Sequence, residues 1–212
     1  MQIFDSFKSS LNQSLDLFLG YKIVIKREDL IHPRVSGNKF RKLKYIFQEI
    51  KEKEIPALLT FGGAFSNHLA ATANAGKNNR VHTIGIVRGD EWKEKVHEST
   101  TLNYCVSQGM KLHCVSRDIY AQKEQAQIVM KLMNEIPRLR IIPEGGTEPL
   151  AVKGCLEILQ SKDLDFDVIC SSVGTGGTIA GLINSSNDNQ NIIGFNALNN
   201  TEIVHTIEEL TK

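Results

Sequence analysis

Long apolar runs are missing from this sequence. No uninterrupted apolar stretch is long enough to cross a bilayer, and Met1 to Ser10 is polar, with no apolar signal core. Charge of one sign is missing as well. The formal net charge of the 212 residues is +1, so no basic face is implied and nucleic acid is a poor partner. Cysteine is scarce and unpaired. Cys105, Cys114, Cys155 and Cys170 contain no Cys-x-x-Cys spacing, which argues against a zinc site or a dithiol redox pair. Each lies in an apolar setting, as a small buried hydrophobe would, and a reducing cytoplasm fits. Internal repeats and low-complexity tracts are absent. No Gly-Lys-Ser/Thr ending of a Walker loop occurs, and no Gly-x-Gly-x-x-Gly fingerprint follows a first strand.

What remains is ordinary for a globular chain, with 41% apolar and 23% charged residues. The length suits one large domain or two small ones. Leu11–Leu19 has apolar residues at mixed spacing and reads as a short helix or an extended arm. Tyr21–Arg27 reads as a strand. Lys42–Lys53 carries Leu43, Ile46, Phe47 and Ile50 at helical spacing. A regular alternation follows. Strands are expected at Ala57–Phe61, Val81–Val87, Lys111–Val115 and Arg140–Pro143. Helices are expected at Asn67–Ala75 (ended by Gly76), Ser99–Gln108 and Tyr120–Glu135. Beyond it come a helix over Pro149–Gln160, a buried strand over Val168–Cys170 and a helix starting at Ile179. A strand over Ile192–Ala197 and a helix over Thr201–Leu210, capped by Thr201, complete the chain. The polar run Asn184–Asn191 reads as a surface loop. Alternating strands and helices imply an α/β fold with a parallel sheet covered on its faces.

Three stretches carry chemistry. Ser36-Gly37-Asn38-Lys39 leads into a helix, which places Lys39 at a helix mouth. Lost hydration and the positive end of the helix dipole both lower a lysine pKa there and free its amine for Schiff-base formation. The plain alternative is one more solvated lysine. Gly174-Thr175-Gly176-Gly177-Thr178 lies between a strand and a helix start. Converging backbone N–H groups, a helix N-terminus and two hydroxyls make a phosphate cup. A tight turn without a ligand is the alternative. Gly62-Gly63-Ala64-Phe65-Ser66-Asn67-His68 repeats the strand–glycine–helix placement. Ser66 and Asn67 can reach a bound ring or carboxylate, or Ser66 simply caps the helix with Asn67 and His68 exposed. An amine, a polar helix end and a separate phosphate cup together describe a pyridoxal-phosphate site.

Four motifs occur in order: Lys26-Arg27-Glu28-Asp29; Gly37-Asn38-Lys39-x-Arg41-Lys42-Leu43-x-Tyr45; Gly62-Gly63-x-x-Ser66-Asn67-His68; and Gly174-Thr175-Gly176-Gly177-Thr178. They resemble the 1-aminocyclopropane-1-carboxylate (ACC) deaminase and D-cysteine desulfhydrase family, within the tryptophan-synthase-β-like pyridoxal-phosphate enzymes. The resemblance runs from about Phe18 to the end. It implies two domains with twisted, parallel-type sheets flanked by helices: 1–45 plus 149–212 as a large cofactor-binding domain and 46–148 as a small one. It implies pyridoxal 5′-phosphate, with Lys39 as the Schiff-base lysine and proton carrier. Asn38 and Asn67 would contact the cofactor, and Gly174, Thr175, Gly176, Gly177 and Thr178 would hold its phosphate. Ser66 would be catalytic near the substrate carboxylate, with Asn67 and His68 as further substrate contacts. The partner would be a small amino acid, in a cytoplasmic homodimer with no membrane or nucleic-acid association and no metal. The Ser-Asn-His form favours the D-cysteine branch, which gives pyruvate, ammonia and sulfide. The ACC branch, giving 2-oxobutanoate and ammonia, is the alternative. Serine or threonine dehydratases and sulfhydrylases of the same fold fit the Gly-Asn-Lys-x-Arg-Lys-Leu motif less well. Chains of this family continue well past residue 212 and carry there the partner of the pyridine nitrogen and tyrosines near the substrate. The sequence is therefore expected to be a fragment or an incomplete member, and a chain that binds the cofactor without turnover is a further alternative.

Overall fold

The computed structural model describes residues 3–5, 9–15, 20–198 and 202–211. Its centre is a four-stranded sheet in the order β5-β4-β3-β6, made of β3 (Ala57–Gly63), β4 (His82–Arg88), β5 (Lys111–Val115) and β6 (Arg140–Ile142). Every pairing in it is parallel. The strands are short and buried on both faces, as parallel strands between helices must be. Along β3 the side chains alternate. Leu58 joins a core with Phe40, Leu43, Ile46 and Phe47 of α1 (Asn38–Glu52) and Ala71 and Ala75 of α2 (Asn67–Asn79). Leu59 and Phe61 face the other way, into a core with Val129 and Leu132 of α5 (Gln127–Glu135). A third cluster packs Leu69, Ala73 and Val87 against Leu102 and Cys105 of α3 (Thr100–Ser107).

Two smaller sheets flank this unit. β1 (Leu11–Leu15) and β2 (Ile23–Arg27) pair antiparallel, so the first apolar segment is a strand where it is described; residues 16–19 lie outside the described residues. β7 (Val168–Val173) and β8 (Asn191–Asn196) pair parallel. α6 (Pro149–Cys155) and α7 (Gly177–Ser185) connect this pair to α1. Gly154 on α6 lies directly against the Arg41 carbonyl of α1, where any side chain would collide.

Several expectations are corrected. Gly76 does not end α2. It is buried inside the helix, where a side chain would strike Thr83 and the Val81 carbonyl. Arg80, in the left-handed conformation at φ 58°, ends the helix instead. The helix expected over Tyr120–Glu135 is broken. α4 (Arg117–Ala121) stops, Lys123 takes a positive φ of 51°, and α5 begins after extended Ala126. α6 ends at Cys155 rather than Gln160. Glu157 just beyond it accepts from Arg41, Lys44 and Tyr45, and Asp163 accepts from the Gln160 backbone. The strand at Val168–Cys170 is not buried on both faces. Ile169 and Val173 pack on the helix side, but Val168, Cys170 and, opposite on β8, Phe195 are exposed. Cys170 is thus the exception to the buried cysteines. Asn184 and Ser185 belong to α7, so the polar loop is shorter than expected. α8 (Ile203–Leu210) has no side-chain cap, and Thr201 lies outside the described residues. α1 runs unbroken through residues 45 and 46.

Candidate active site

The charged motif at Lys26–Asp29 is scaffold. Lys26 Nζ and Asn12 Nδ2 both donate to Asp163, at 2.5 and 2.7 Å. Glu28 accepts two bonds from Arg41, from Nε at 2.8 Å and from Nη2 at 3.0 Å. Arg41 is a buried charge, and this forked pairing is what makes its burial tolerable. The arrangement fixes the start of α1 against β2 and α6, and with it the direction of the two lysines on either side of Arg41.

Lys39 is the second residue of α1, at its N-terminal mouth. Its Nζ makes one long bond, 3.3 Å to Asn38 Oδ1. Burial holds the Lys39 amine below the ordinary lysine range, opposed by a smaller raising effect of Cys155. Asn38 Nδ2 donates to Thr178 Oγ1 at 2.9 Å, across 140 residues of sequence. The Gly-Asn-Lys motif and the glycine-threonine turn are therefore in direct contact at the mouths of two helices, α1 and α7.

Lys42, one helical turn after Lys39, is buried and donates to three oxygens. These are Gly145 O at 3.0 Å, Thr147 Oγ1 at 3.0 Å and Thr175 Oγ1 at 3.3 Å. The Thr147 and Thr175 hydroxyls also hydrogen-bond each other, at 2.5 Å. Burial, and secondarily the charge of Lys39, push Lys42 down to about 7. The cup thus has a wall that sequence reading missed, the Gly145-Gly146-Thr147 turn after β6, with Lys42 as its cation. The available signal was spacing: residues i and i+3 share a helix face, so a lysine three residues from Lys39 points into the same cleft.

His68 sits in the first turn of α2 but is not exposed; only 2% of it reaches solvent. Its Nε2 lies 2.9 Å from Thr60 Oγ1, whose own proton goes to Ile142 O at 3.0 Å. Its Nδ1 is buried with no partner. Burial, then the charges of Lys39 and Lys42, hold His68 well below the ordinary imidazole range, and it is neutral. Gly146 packs over the same ring edge; a Cβ there would lie 2.8 Å from His68 Cε1. Ser66 caps α2, accepting from Leu69 N at 3.2 Å. Asn67 is exposed at the helix start.

The cup residues differ in what they face. Gly174 is exposed, and a Cβ on it would meet nothing within 4 Å. A Cβ on Gly177 would fill the space beside Lys42 Nζ and Thr147 Oγ1, each at 3.2 Å. Gly176, at φ 82°, faces Ile207 of α8 instead. A cation, hydroxyls and a helix N-terminus around a cradle that a methyl group would fill are a donor set suited to a phosphate monoester. A cleft of about 710 Å³ on the outer face of α5, lined by Gln127, Met130 and Lys131 among others, includes none of these residues. Among the described residues no cluster of metal-ligating side chains occurs, and no helix is long and apolar enough to cross a membrane.

A lysine at one helix mouth joined to a glycine-threonine turn at another, on a sheet-and-helix framework of this order, fits a pyridoxal-phosphate enzyme. Residues 10–210 match the family model described as pyridoxal-phosphate dependent enzyme, and the chain belongs to that family. It is 35% identical over 170 residues to a putative 1-aminocyclopropane-1-carboxylate deaminase of Thermotoga maritima, covering 77% of this chain and 53% of that protein. It is 30% identical over 178 residues to a bifunctional D-cysteine desulfhydrase/1-aminocyclopropane-1-carboxylate deaminase, mitochondrial, of Arabidopsis thaliana, covering 77% and 44%. A crystallised ACC deaminase homologue superimposes with a TM-score of 0.81 at 24% identity, over 96% of this chain and 65% of that one. A pyridoxal 5′-phosphate-dependent aspartate racemase shares the fold, with a TM-score of 0.70 at 16% identity, over 91% and 59%. The chain spans about half the length of the curated relatives it matches. The family's cofactor is pyridoxal 5′-phosphate, and the residues present fit it.

Proposed function

We propose that this chain supplies the cofactor-anchoring part of an enzyme that eliminates and deaminates a small amino acid, D-cysteine in the first instance, to pyruvate, ammonia and sulfide. The observation that supports this reading is the 2.9 Å bond between Asn38 and Thr178, which joins the Gly-Asn-Lys segment to the glycine-threonine turn.

Bound pyridoxal phosphate supplies the sink for the electrons of a bond broken at the substrate's α-carbon. Everything else falls to the chain. Gly174, Thr175, Gly176, Gly177 and Thr178, with Lys42 and the N-terminus of α7, hold the phosphate by charge and backbone donors. Lys39 is the amine that would hold the cofactor through its aldehyde, and it would carry the substrate's α-proton. Its lowered pKa increases the uncharged fraction able to do both. Asn38 orients Lys39 while its amide is anchored on Thr178, and Asn67 would contact the cofactor ring. Ser66 and Asn67 take the substrate carboxylate at the mouth of α2. With D-cysteine the thiol leaves as sulfide, and one water converts the remaining three-carbon unit to pyruvate and ammonia. The expected two units, 1–45 plus 149–212 and 46–148, place this cleft between them, and a homodimer in the cytoplasm is the assembly we assign. ACC, opened to 2-oxobutanoate and ammonia, is the second substrate to test, because names of that activity recur among the relatives.

The test has two steps. Protein incubated with pyridoxal phosphate is reduced with borohydride and mapped by peptide mass; the adduct is expected on Lys39, and an adduct on Lys42 or Lys44 refutes the site. Pyruvate is then measured from D-cysteine and 2-oxobutanoate from ACC. Release of neither, with the adduct on Lys39, leaves a chain that binds the cofactor without turnover and refutes the catalytic reading.

A further inference from the structure

One wall of the cup is a soft turn. Gly145 and Gly146 follow each other in the left-handed region, both at φ 69°, and glycine is the residue with the least backbone preference to hold such a shape by itself. The inner side of the turn meets the site. Gly145 O and Thr147 Oγ1 each accept from Lys42 at 3.0 Å. A Cβ on Gly145 would lie 2.6 Å from Thr175 Oγ1, so this glycine packs directly on the cup. With two glycines in succession, the position of the wall depends on what holds its outer side.

That side is held by Lys123. Its Nζ donates to Glu144 Oε2 at 2.6 Å, one residue before Gly145, and stands 3.6 Å from the ring centroid of Tyr120. Tyr120 is a firm base for it, because the ring is buried and meets Phe61 of β3 edge-on at 6.2 Å. Lys123 comes after β5 and Glu144 directly after β6, and these are the two outer strands of the central sheet. The ion pair therefore ties together two segments that leave opposite edges of the sheet. Both follow the carboxyl ends of their strands, where open α/β sheets place their ligands.

We propose that Lys123 is a positioning residue for the phosphate cup: stacked on Tyr120 and paired with Glu144, it clamps the outer side of the Gly145–Thr147 turn and so fixes the oxygens that hold Lys42. The proposal rests on the reading of this cup as the cofactor's phosphate site. Lys123 acts through Glu144 and not on the phosphate itself.

The experiment titrates the full chain calorimetrically with pyridoxal 5′-phosphate and with pyridoxal, which has the ring and aldehyde but no phosphate. Lys123→Met keeps a flexible stem for the Tyr120 ring and removes the charge. Glu144→Gln removes the opposite charge, and it reads the same bond from the other end if Lys123→Met does not fold. Each should weaken pyridoxal-phosphate binding about three- to fivefold, the scale of one half-exposed ion pair set on an aromatic ring, and leave pyridoxal binding unchanged. The double variant should be no worse than the weaker-binding single one. Lys123→Arg keeps both charge and stacking and should bind like wild type. Arg117→Met breaks a similarly short pair, 2.7 Å to Glu91, and should change neither affinity. Equal losses for pyridoxal and pyridoxal phosphate would make Lys123 a support of the fold alone and overturn the proposal. So would a loss in Lys123→Met that Glu144→Gln restores, because the lysine would then cancel a charge and not hold a turn. A wild-type chain that binds both compounds alike refutes the cup and the clamp together. A wild-type preference for the phosphate that persists undiminished in Lys123→Met refutes the clamp alone.

Discussion

Asn38 and Thr178 lie at the mouths of two helices, 140 positions apart in sequence, and the amide of the first donates to the hydroxyl of the second at 2.9 Å. Through that bond the orientation of Lys39 and the shape of the cup are coupled. If the coupling is real, Asn38→Ala and Thr178→Val are not independent. Each alone should weaken pyridoxal-phosphate affinity roughly five- to tenfold, the worth of about one hydrogen bond. The double variant should be no worse than the weaker single one. Strict additivity of the two losses in a double-mutant cycle would show that the bond does not link the two halves of the site.

The positions of the candidate residues were legible because they are local: Lys39 follows Gly-Asn at the start of α1, and Gly174–Thr178 lies between β7 and α7. The central parallel sheet was legible because apolar runs such as Ala57–Phe61 and Val81–Val87 alternate with helical spacing. What escaped depends on contacts between distant segments. Lys42 reads as one basic residue among several until Gly145, Thr147 and Thr175 close around it. His68 reads as exposed beside Ser66, because nothing in the sequence shows Thr60 waiting beneath it. The broken helix at Lys123 escaped for a related reason. The apolar spacing of Ile128, Val129 and Leu132 belongs to α5, and the turn before it is fixed by Lys123 bonding Glu144 and stacking on Tyr120.

Lys42 should leave a mark on stability as a function of pH. Its pKa is about 7 in the folded chain, against a normal lysine value near 10.5 when unfolded. Between those values the unfolded state binds more protons, so this group makes stability rise with pH. Below about pH 7 both states are protonated and the burial penalty is present in full. Lys42→Met removes the titration. The stability difference, wild type minus Lys42→Met, should therefore increase steadily from about pH 7 to pH 10 in urea melts and be flat from pH 5 to 6.5. A difference that falls over the upper range would place the Lys42 pKa above its normal value. A bound phosphate dianion favours the ammonium, so cofactor binding at pH 8 should take up protons, measurable by calorimetry in buffers of different ionisation heat.

Two neighbouring glycines of the cup should fail in different ways. Gly177 does not need a positive φ, and its missing side chain leaves the space beside Lys42 and Thr147. Gly177→Ala should keep the melting temperature within a few degrees and lower cofactor affinity at least tenfold. Gly176 holds φ 82° and faces Ile207 and Ile203 of α8. Gly176→Ala should cost about 1 kcal/mol or more of stability through backbone strain and disturb α8, with a smaller direct effect on affinity. Equal affinity losses for equal stability losses in the two variants would mean that the cup is a turn and not a cradle.

Ser66 presents the sharpest choice between scaffold and chemistry. Its oxygen accepts from Leu69 N at 3.2 Å, which is the work of an N-cap and worth about 1 kcal/mol. Capping uses only a lone pair, so the hydroxyl proton remains available to a bound substrate. The two roles are separated by a pair of variants. Ser66→Asn keeps a capping oxygen and loses the hydroxyl; Ser66→Ala loses both. If Ser66 assists proton transfer, both variants should lose turnover of D-cysteine by about 10²-fold or more. Only Ser66→Ala should then melt lower, by about 2–4 °C for a chain of this size. If Ser66 is a cap alone, Ser66→Asn should turn over D-cysteine like wild type, and Ser66→Ala should show its full effect in the melt. Mapping the cofactor adduct in both variants guards the comparison: it should stay on Lys39, because the bond between Asn38 and Thr178 that orients that lysine does not involve the start of α2.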